Sequence, residues 1–107
     1  MKYHVFMAED AEQDLYEIFI YLYNNDSPSN ANYVYKKIKQ VILSLAEYPK
    51  RGHIPPELER INIYEYHELH FKPYRIIYSI ENENVFINCI LDGRRDLSDI
   101  LAKRLTR

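Results

Sequence analysis

The spacing of apolar positions changes several times along the chain, and each change marks an element. Lys2–Met7 alternates, with Tyr3, Val5 and Met7 on one side and His4 and Phe6 on the other, which predicts a short strand. Ala11, Leu15, Ile18, Phe19 and Leu22 then follow helical spacing and form one apolar stripe. Asp10 followed by Gln13 resembles a capping box, and the early acids suit the positive end of a helix. Asn24–Asn30 reads as a turn, in which Ser27 or Ser29 caps a second helix and Pro28 takes a first helical position. That helix buries Val34, Ile38, Val41, Ile42 and Leu45. Lys36, Lys37, Lys39 and Gln40 fall mostly on its solvated face, and Pro49 stops it. Two helices joined by a short turn form an antiparallel hairpin that must cover something apolar.

The second half of the chain supplies that partner. Pro49–Arg60 is loop by composition, with three prolines and Gly52. Ile61–Phe71 alternates, placing Ile61, Ile63, Leu69 and Phe71 in one phase and Tyr64, Tyr66, Glu68 and His70 in the other. Tyr74–Ile80 and Val85–Leu91 are dense apolar runs separated by the polar reversal Glu81–Asn84, which predicts a hairpin. Leu97–Leu105 closes as a short helix with Leu97, Ile100, Leu101 and Leu105 apolar. The whole predicts an α+β fold over residues 1–107, a single domain. Its parts are an N-terminal strand, an antiparallel helical hairpin, a three-stranded antiparallel meander and a short C-terminal helix. One sheet face takes the hairpin. The other is covered by the last helix or left open as an aromatic groove.

Composition narrows the setting. A net charge of −2 across 107 residues excludes a polycation, so any nucleic-acid contact must come from a local patch. The single Cys89 cannot pair internally and points to a reducing, cytoplasmic compartment. No signal peptide and no membrane-length apolar run is visible, so no membrane partner is expected. Eleven tyrosines and no tryptophan favour a surface that binds partners.

Candidate chemistry gathers near the sheet. Arg75 is the one charge inside the densest apolar block, so its head must find a carboxylate or an open face. Arg94 and Arg95 follow the Asp92–Gly93 break, with Asp96 or Asp99 as possible partners. RNA cleavage by a 2′-hydroxyl needs a cation on the developing phosphorane, an acid and a base. Arg75 and Arg95 can supply the cation, His67 or His70 the acid or base, and Glu57 or Glu68 the base. Against this, alternation places Glu68 and His70 on one face and His67 on the other, and Glu68 can simply pair with Arg75 across two strands. Lys50, Arg51 and His53 can touch phosphates or merely solvate a loop. Cys89 reads as a small core residue. His4 and His53 have no metal-ligand partner at useful spacing, so neither a metal site nor a cofactor is expected.

With these residues read, the chain resembles the RelE/ParE superfamily of bacterial toxins. The similar pieces are Asp14–Leu15 with Ile18 and Tyr21, Leu45 with Pro49 and Gly52, and Glu57–Leu58. They continue through Glu68–Leu69, Pro73–Tyr74–Arg75–Ile76 with Tyr78, Gly93–Arg94–Arg95–Asp96 and Arg104–Leu105. The resemblance implies a type II toxin held inactive by an antitoxin in a hetero-oligomer, with the antitoxin against Leu15 and Phe19 of the helices and Tyr74 and Tyr78 of the sheet. It implies one of two targets. RelE-like members cut messenger RNA in the ribosome, and ParE-like members block DNA gyrase. RelE-like ribonucleases place a lysine pair where this chain has Tyr66 and Glu68, and a closing tyrosine where it has Ile100 or Leu101. Other ribonuclease members use a loop Glu, which Glu57 matches, and a terminal His that this chain lacks. Arg75 and Arg95 align with phosphate-contacting positions. The string Asp-Gly-Arg-Arg-Asp-Leu is closer to the ParE branch. The expectation is therefore gyrase inhibition by binding, through Arg75, Arg94, Arg95, Lys50 and Arg51. The alternatives are a ribosome-dependent endoribonuclease using Arg75, Arg95, Glu57, His67 and His70, and an inactive relative that only pairs with its antitoxin.

Overall fold

In the computed structural model the chain runs β1 (His4–Met7), α1 (Glu9–Asn25), α2 (Pro28–Ser44), α3 (Pro56–Glu59), β2 (Tyr66–Phe71), β3 (Tyr74–Glu81), β4 (Asn84–Asp92) and α4 (Leu97–Leu105). Residues 2–105 are described, apart from the side chain of Leu105, so the packing expected of Leu105 lies outside the described residues. The four strands form one sheet in the order β1-β4-β3-β2. β2, β3 and β4 make the expected antiparallel meander. β1 joins parallel to β4, His4 opposite Asn84 and Met7 opposite Ile87.

The helical hairpin covers one sheet face, as the stripes require. Leu15 of α1 and Val34, Ile38 and Ile42 of α2 pack on Ile76, Tyr78, Val85, Ile87 and Ile90. The second face is covered at one end by α4 together with α3, through Leu58, Leu97, Ile100 and Leu101 on Ile77, Cys89 and Leu91. At its other end Phe6 and Phe86 stack at 5.5 Å with Phe6 exposed, which is what remains of the anticipated groove. Among the described residues no helix is long and apolar enough to cross a membrane.

Several boundaries differ from the sequence expectation for local reasons. Asp10 does not cap α1. The N-cap is Ala8, whose N–H is already paired with Ile87 C=O at 2.9 Å, so the chain passes from β1 into the helix without a capping side chain. Glu9, Asp10 and Glu12 still sit in the first turn, where the helix dipole favours acids. Ser27 caps α2, its Oγ accepting from Asn30 N–H at 3.0 Å. That helix closes at Ser44, ahead of Pro49, in tightened turns in which Leu45 and Ala46 donate to Ile42 and Leu43 carbonyls.

The Pro49–Arg60 loop contains α3, with proline in its first turn. The alternation of Ile61 and Ile63 is not strand. Asn62 N–H reaches Glu59 C=O at 3.0 Å and Ile63 N–H reaches Leu58 C=O at 2.9 Å, with Asn62 at φ 62°. This is a Schellman end, and Ile63 packs beside Leu58 as that motif favours. β2 therefore starts only at Tyr66.

β1 is shorter than β4, and among the described residues no strand lies beside the end of β4 on that side. The register between β3 and β4 shifts at Ile77/Tyr78, so β4 carries a bulge at Asn88. Ile90 N–H donates to Asp14 Oδ2 of α1 at 2.9 Å, and Arg104 of α4 donates to Asn88 C=O at 3.3 Å. Arg104 Nη2 also reaches Asp14 Oδ1 at 2.6 Å. An ion pair between the two ends of the fold thus closes an edge that backbone alone leaves open.

Candidate functional site

The loop Lys50–Pro55, α3, β2 and β3 enclose an open cleft of about 410 Å³. Its floor is Arg75. Register places Arg75 opposite His70 on the face that α3 overhangs, and Glu68 lies one pleat along on the same face. Arg75 Nη1 and Nη2 donate to Glu57 Oε2 and Oε1 at 2.8 and 2.7 Å. Arg75 Nε and Nη2 donate to Glu68 Oε1 and Oε2 at 2.9 and 3.0 Å. The guanidinium is therefore held by two carboxylates in a fork-to-fork arrangement, and only 9% of the residue is exposed.

Glu68 is 1% exposed, and its retention as a charge there depends on these partners. Burial opposes its ionisation, but hydrogen bonds from Arg75 and His70 outweigh that and hold its carboxyl below the ordinary range. The Arg75 hydrogen bonds do the same for Glu57, and the two carboxylates push the Arg75 pKa upward. His70 Nε2 lies 2.6 Å from Glu68 Oε1, and His53 Nε2 lies 3.5 Å from Glu68 Oε2.

His53 reaches this place because its backbone pairs with Glu68 in both directions, N–H to C=O at 3.2 and 2.7 Å. Tyr78 anchors the same loop. Its buried hydroxyl donates to Pro49 C=O at 2.8 Å and accepts from Gly52 N–H at 3.1 Å. A Cβ on Gly52 would lie 2.7 Å from Glu68 C=O, so no larger residue fits between loop and strand.

The expected site residues divide among different places. Arg75, Glu57 and His70 meet in the cleft with Glu68. His67 does not join them. It lies on the opposite sheet face, stacked on Tyr78 at 5.4 Å, and burial lowers its pKa. Arg94 is exposed and curls onto Asp92, with Nε at 3.0 Å and Nη2 at 2.9 Å. Arg95 is exposed and lines other clefts, beside Asp14 and Arg104 and beside Tyr21 and Tyr74. The three arginines therefore do not converge on one surface, because Arg75 points beneath α3 whereas Arg94 and Arg95 follow the turn after β4. Lys50 and Arg51 are exposed on the loop.

The surface assigned to a partner also needs correction. Leu15 and Tyr78 are 3% and 0% exposed, inside the core between hairpin and sheet, and offer no face to another chain. Phe19 and Tyr74 are half-buried, Phe19 lying at 5.9 Å from Tyr23 and 5.8 Å from Tyr35. Cys89 is buried with its thiol pushed up to about 12, as expected of a core residue.

His53 is what sequence spacing missed. Its partners Glu68 and His70 are brought to it by an isolated strand bridge, which leaves no periodic signal. The Asp14–Arg104 pair is likewise formed by residues that matched the family pattern separately.

Comparison with known proteins adds identity to this geometry. A family model described as the ParE toxin of the type II toxin–antitoxin system, parDE, matches residues 5–97. No curated protein matches the chain. Among solved structures, the chromosomal ParDE toxin–antitoxin system of P. aeruginosa superposes with a TM-score of 0.71 at 15% identity, covering 85% of this chain and 96% of that one. The RelBE2 toxin–antitoxin complex of Mycobacterium tuberculosis gives 0.57 at 19% identity, covering 86% and 99%. At these identities the two structures speak for the fold.

Proposed function

We propose that this chain, which belongs to the ParE toxin family of type II toxin–antitoxin systems, inhibits DNA gyrase by binding it and is neutralised in the cytoplasm by an antitoxin. The observation that carries this reading is the state of Arg75. A ribonuclease needs a cation free to meet the phosphorane charge. Here the guanidinium makes four hydrogen bonds to Glu57 and Glu68. Its charge is already matched, and releasing it would leave Glu68 buried and unpaired. The lysine pair of ribosome-dependent nucleases is absent at Tyr66 and Glu68.

The target contact we assign to the exposed cations, Arg94 and Arg95 after β4 with Lys50 and Arg51 of the loop. Antitoxin contact we assign to the aromatic surface of the hairpin and the sheet end, where Phe19 and Tyr74 are half-buried and Tyr21 is exposed. Supercoiling by purified gyrase, run with and without the protein, tests the first part. Inhibition that weakens in Arg95→Ala supports it, and unchanged supercoiling at excess protein rejects it.

A second reading has one observation in its favour. His70 and Glu68 share a 2.6 Å hydrogen bond at an open cleft, the arrangement of an oriented general acid or base. Primer extension on ribosome-bound messages separates the two. New 5′ ends that vanish in His70→Gln support cleavage. Silence in both assays leaves antitoxin pairing as the remaining role.

A further inference from the structure

We propose that His53, Glu68 and His70 form a binding site for a divalent transition-metal ion of the zinc class, with a fourth position open to the cleft. One ligand atom from each residue lies within 4.8 Å of the others. A tetrahedral zinc ion with bonds near 2.0–2.1 Å holds its donors about 3.3 Å apart. His53 Nε2 lies 3.5 Å from Glu68 Oε2 and His70 Nε2 lies 2.6 Å from Glu68 Oε1, so the two imidazoles stand on different oxygens of one carboxylate, at distances on either side of that spacing. Closing the set on one ion requires the two imidazoles to rotate, and they are 58% and 47% exposed. The two rings stand edge to face, with centroids 5.3 Å apart and planes at 88°.

The carboxylate and its support suit a cation. Arg75 is shared between the carboxylates of Glu57 and Glu68, and Arg60 and Lys72 line the outer part of the same cleft. A carboxylate offers about four lone-pair sites. Arg75 occupies one on each Glu68 oxygen, and each oxygen faces one histidine nitrogen on its remaining side. Arg75 thus orients the carboxylate from behind, and the backbone bridge fixes His53 against Glu68, the kind of outer support that metal sites depend on. Two imidazoles and one carboxylate select zinc, cobalt, nickel or copper over magnesium and calcium, which need more oxygen donors. The inference stands whichever target the toxin takes.

The test uses tag-free protein titrated with cobalt(II), followed by displacement with zinc. Expected is a saturable visible band of tetrahedral cobalt, lost on adding one equivalent of zinc and not on adding magnesium. His53→Asn and His70→Asn should each weaken binding at least about tenfold, and the double variant should abolish it. Both rings are half-exposed, so circular dichroism should stay at the wild-type profile; His53→Asn should keep the urea midpoint, and His70→Asn, which removes a hydrogen-bond partner of buried Glu68, should lower it slightly without unfolding the protein. The proposal is overturned by absence of saturable uptake, by a double variant that keeps wild-type affinity, or by a thiolate-to-cobalt band that would place the ion on Cys89.

Discussion

Replacing Arg75 by alanine removes the guanidinium that pairs with Glu68, a carboxylate 1% exposed between β2, β3 and the loop. Breaking a buried pair from one side costs about 3–5 kcal/mol, because the surviving charge stays desolvated. Two features of the cleft reduce this. Glu57 is partly exposed and can turn to water, and His70 remains within 2.6 Å of Glu68 as a donor. The expected loss is therefore about 3 kcal/mol, or a fall in Tm of roughly 10–20 °C. Urea denaturation of wild type and variant, with equal slopes, measures it. Combining Arg75→Met with Glu68→Met should recover more than half, since neither charge is then left alone. A loss under about 0.5 kcal/mol for Arg75→Ala, the scale of an ordinary surface change, would refute the reasoning. There is a practical corollary. Loss of toxicity in Arg75→Ala would report folding as much as function, so Arg94→Ala and Arg95→Ala are the informative variants.

The folded-state pKa values of Glu57 and Glu68 lie below the ordinary 4.5, so the stability these groups contribute is present above that pH and lost as pH falls below it. Urea midpoints taken between neutral pH and acid should show that loss, with a flatter profile in Glu57→Gln. Asp14→Ala removes the acceptor of Ile90 N–H and the nearest carboxylate of Arg104, which keeps Asn88 C=O and Asp10, and should cost about 2 kcal/mol, with faster hydrogen exchange at the Ile90 amide. Arg104→Ala should cost less, about 1 kcal/mol, because Asp14 keeps the Ile90 bond. Gly52→Ala forces the loop off β2 and should cost about 1–3 kcal/mol by thermal denaturation.

Helical stripes and strand alternation made most of the fold legible, because Leu15, Val34, Ile38 and the runs of β3 and β4 each bury one face against the other layer. Alternation misled at Ile61–Ile63, where apolar residues serve a helix end and not a strand. Asn62, a residue that tolerates the left-handed backbone, is the clue that was present. The Glu68–Arg75 pair was legible from shared facing on neighbouring strands. Glu57 as the second arm, and His53 beside Glu68, depend on how a proline-rich loop folds back, and neither periodicity nor propensity encodes that. The buried positions of Leu15 and Tyr78 follow from the stripe and the dense block in which they sit. Assigning them to a partner confused family position with accessibility.

The seam along β4 has a consequence for how the protein comes into being. His4 pairs in register with Asn84, and Asp14 finds Arg104 across 90 residues of chain. A nascent polypeptide that has not yet delivered β4 cannot complete the sheet, and one that has not reached Arg104 leaves its rim unsealed. Closure of such distant contacts is slow compared with forming the local helices. Completion of the sheet is thereby postponed until β4 and α4 have both been made, which gives a cell an interval in which to have the antitoxin waiting.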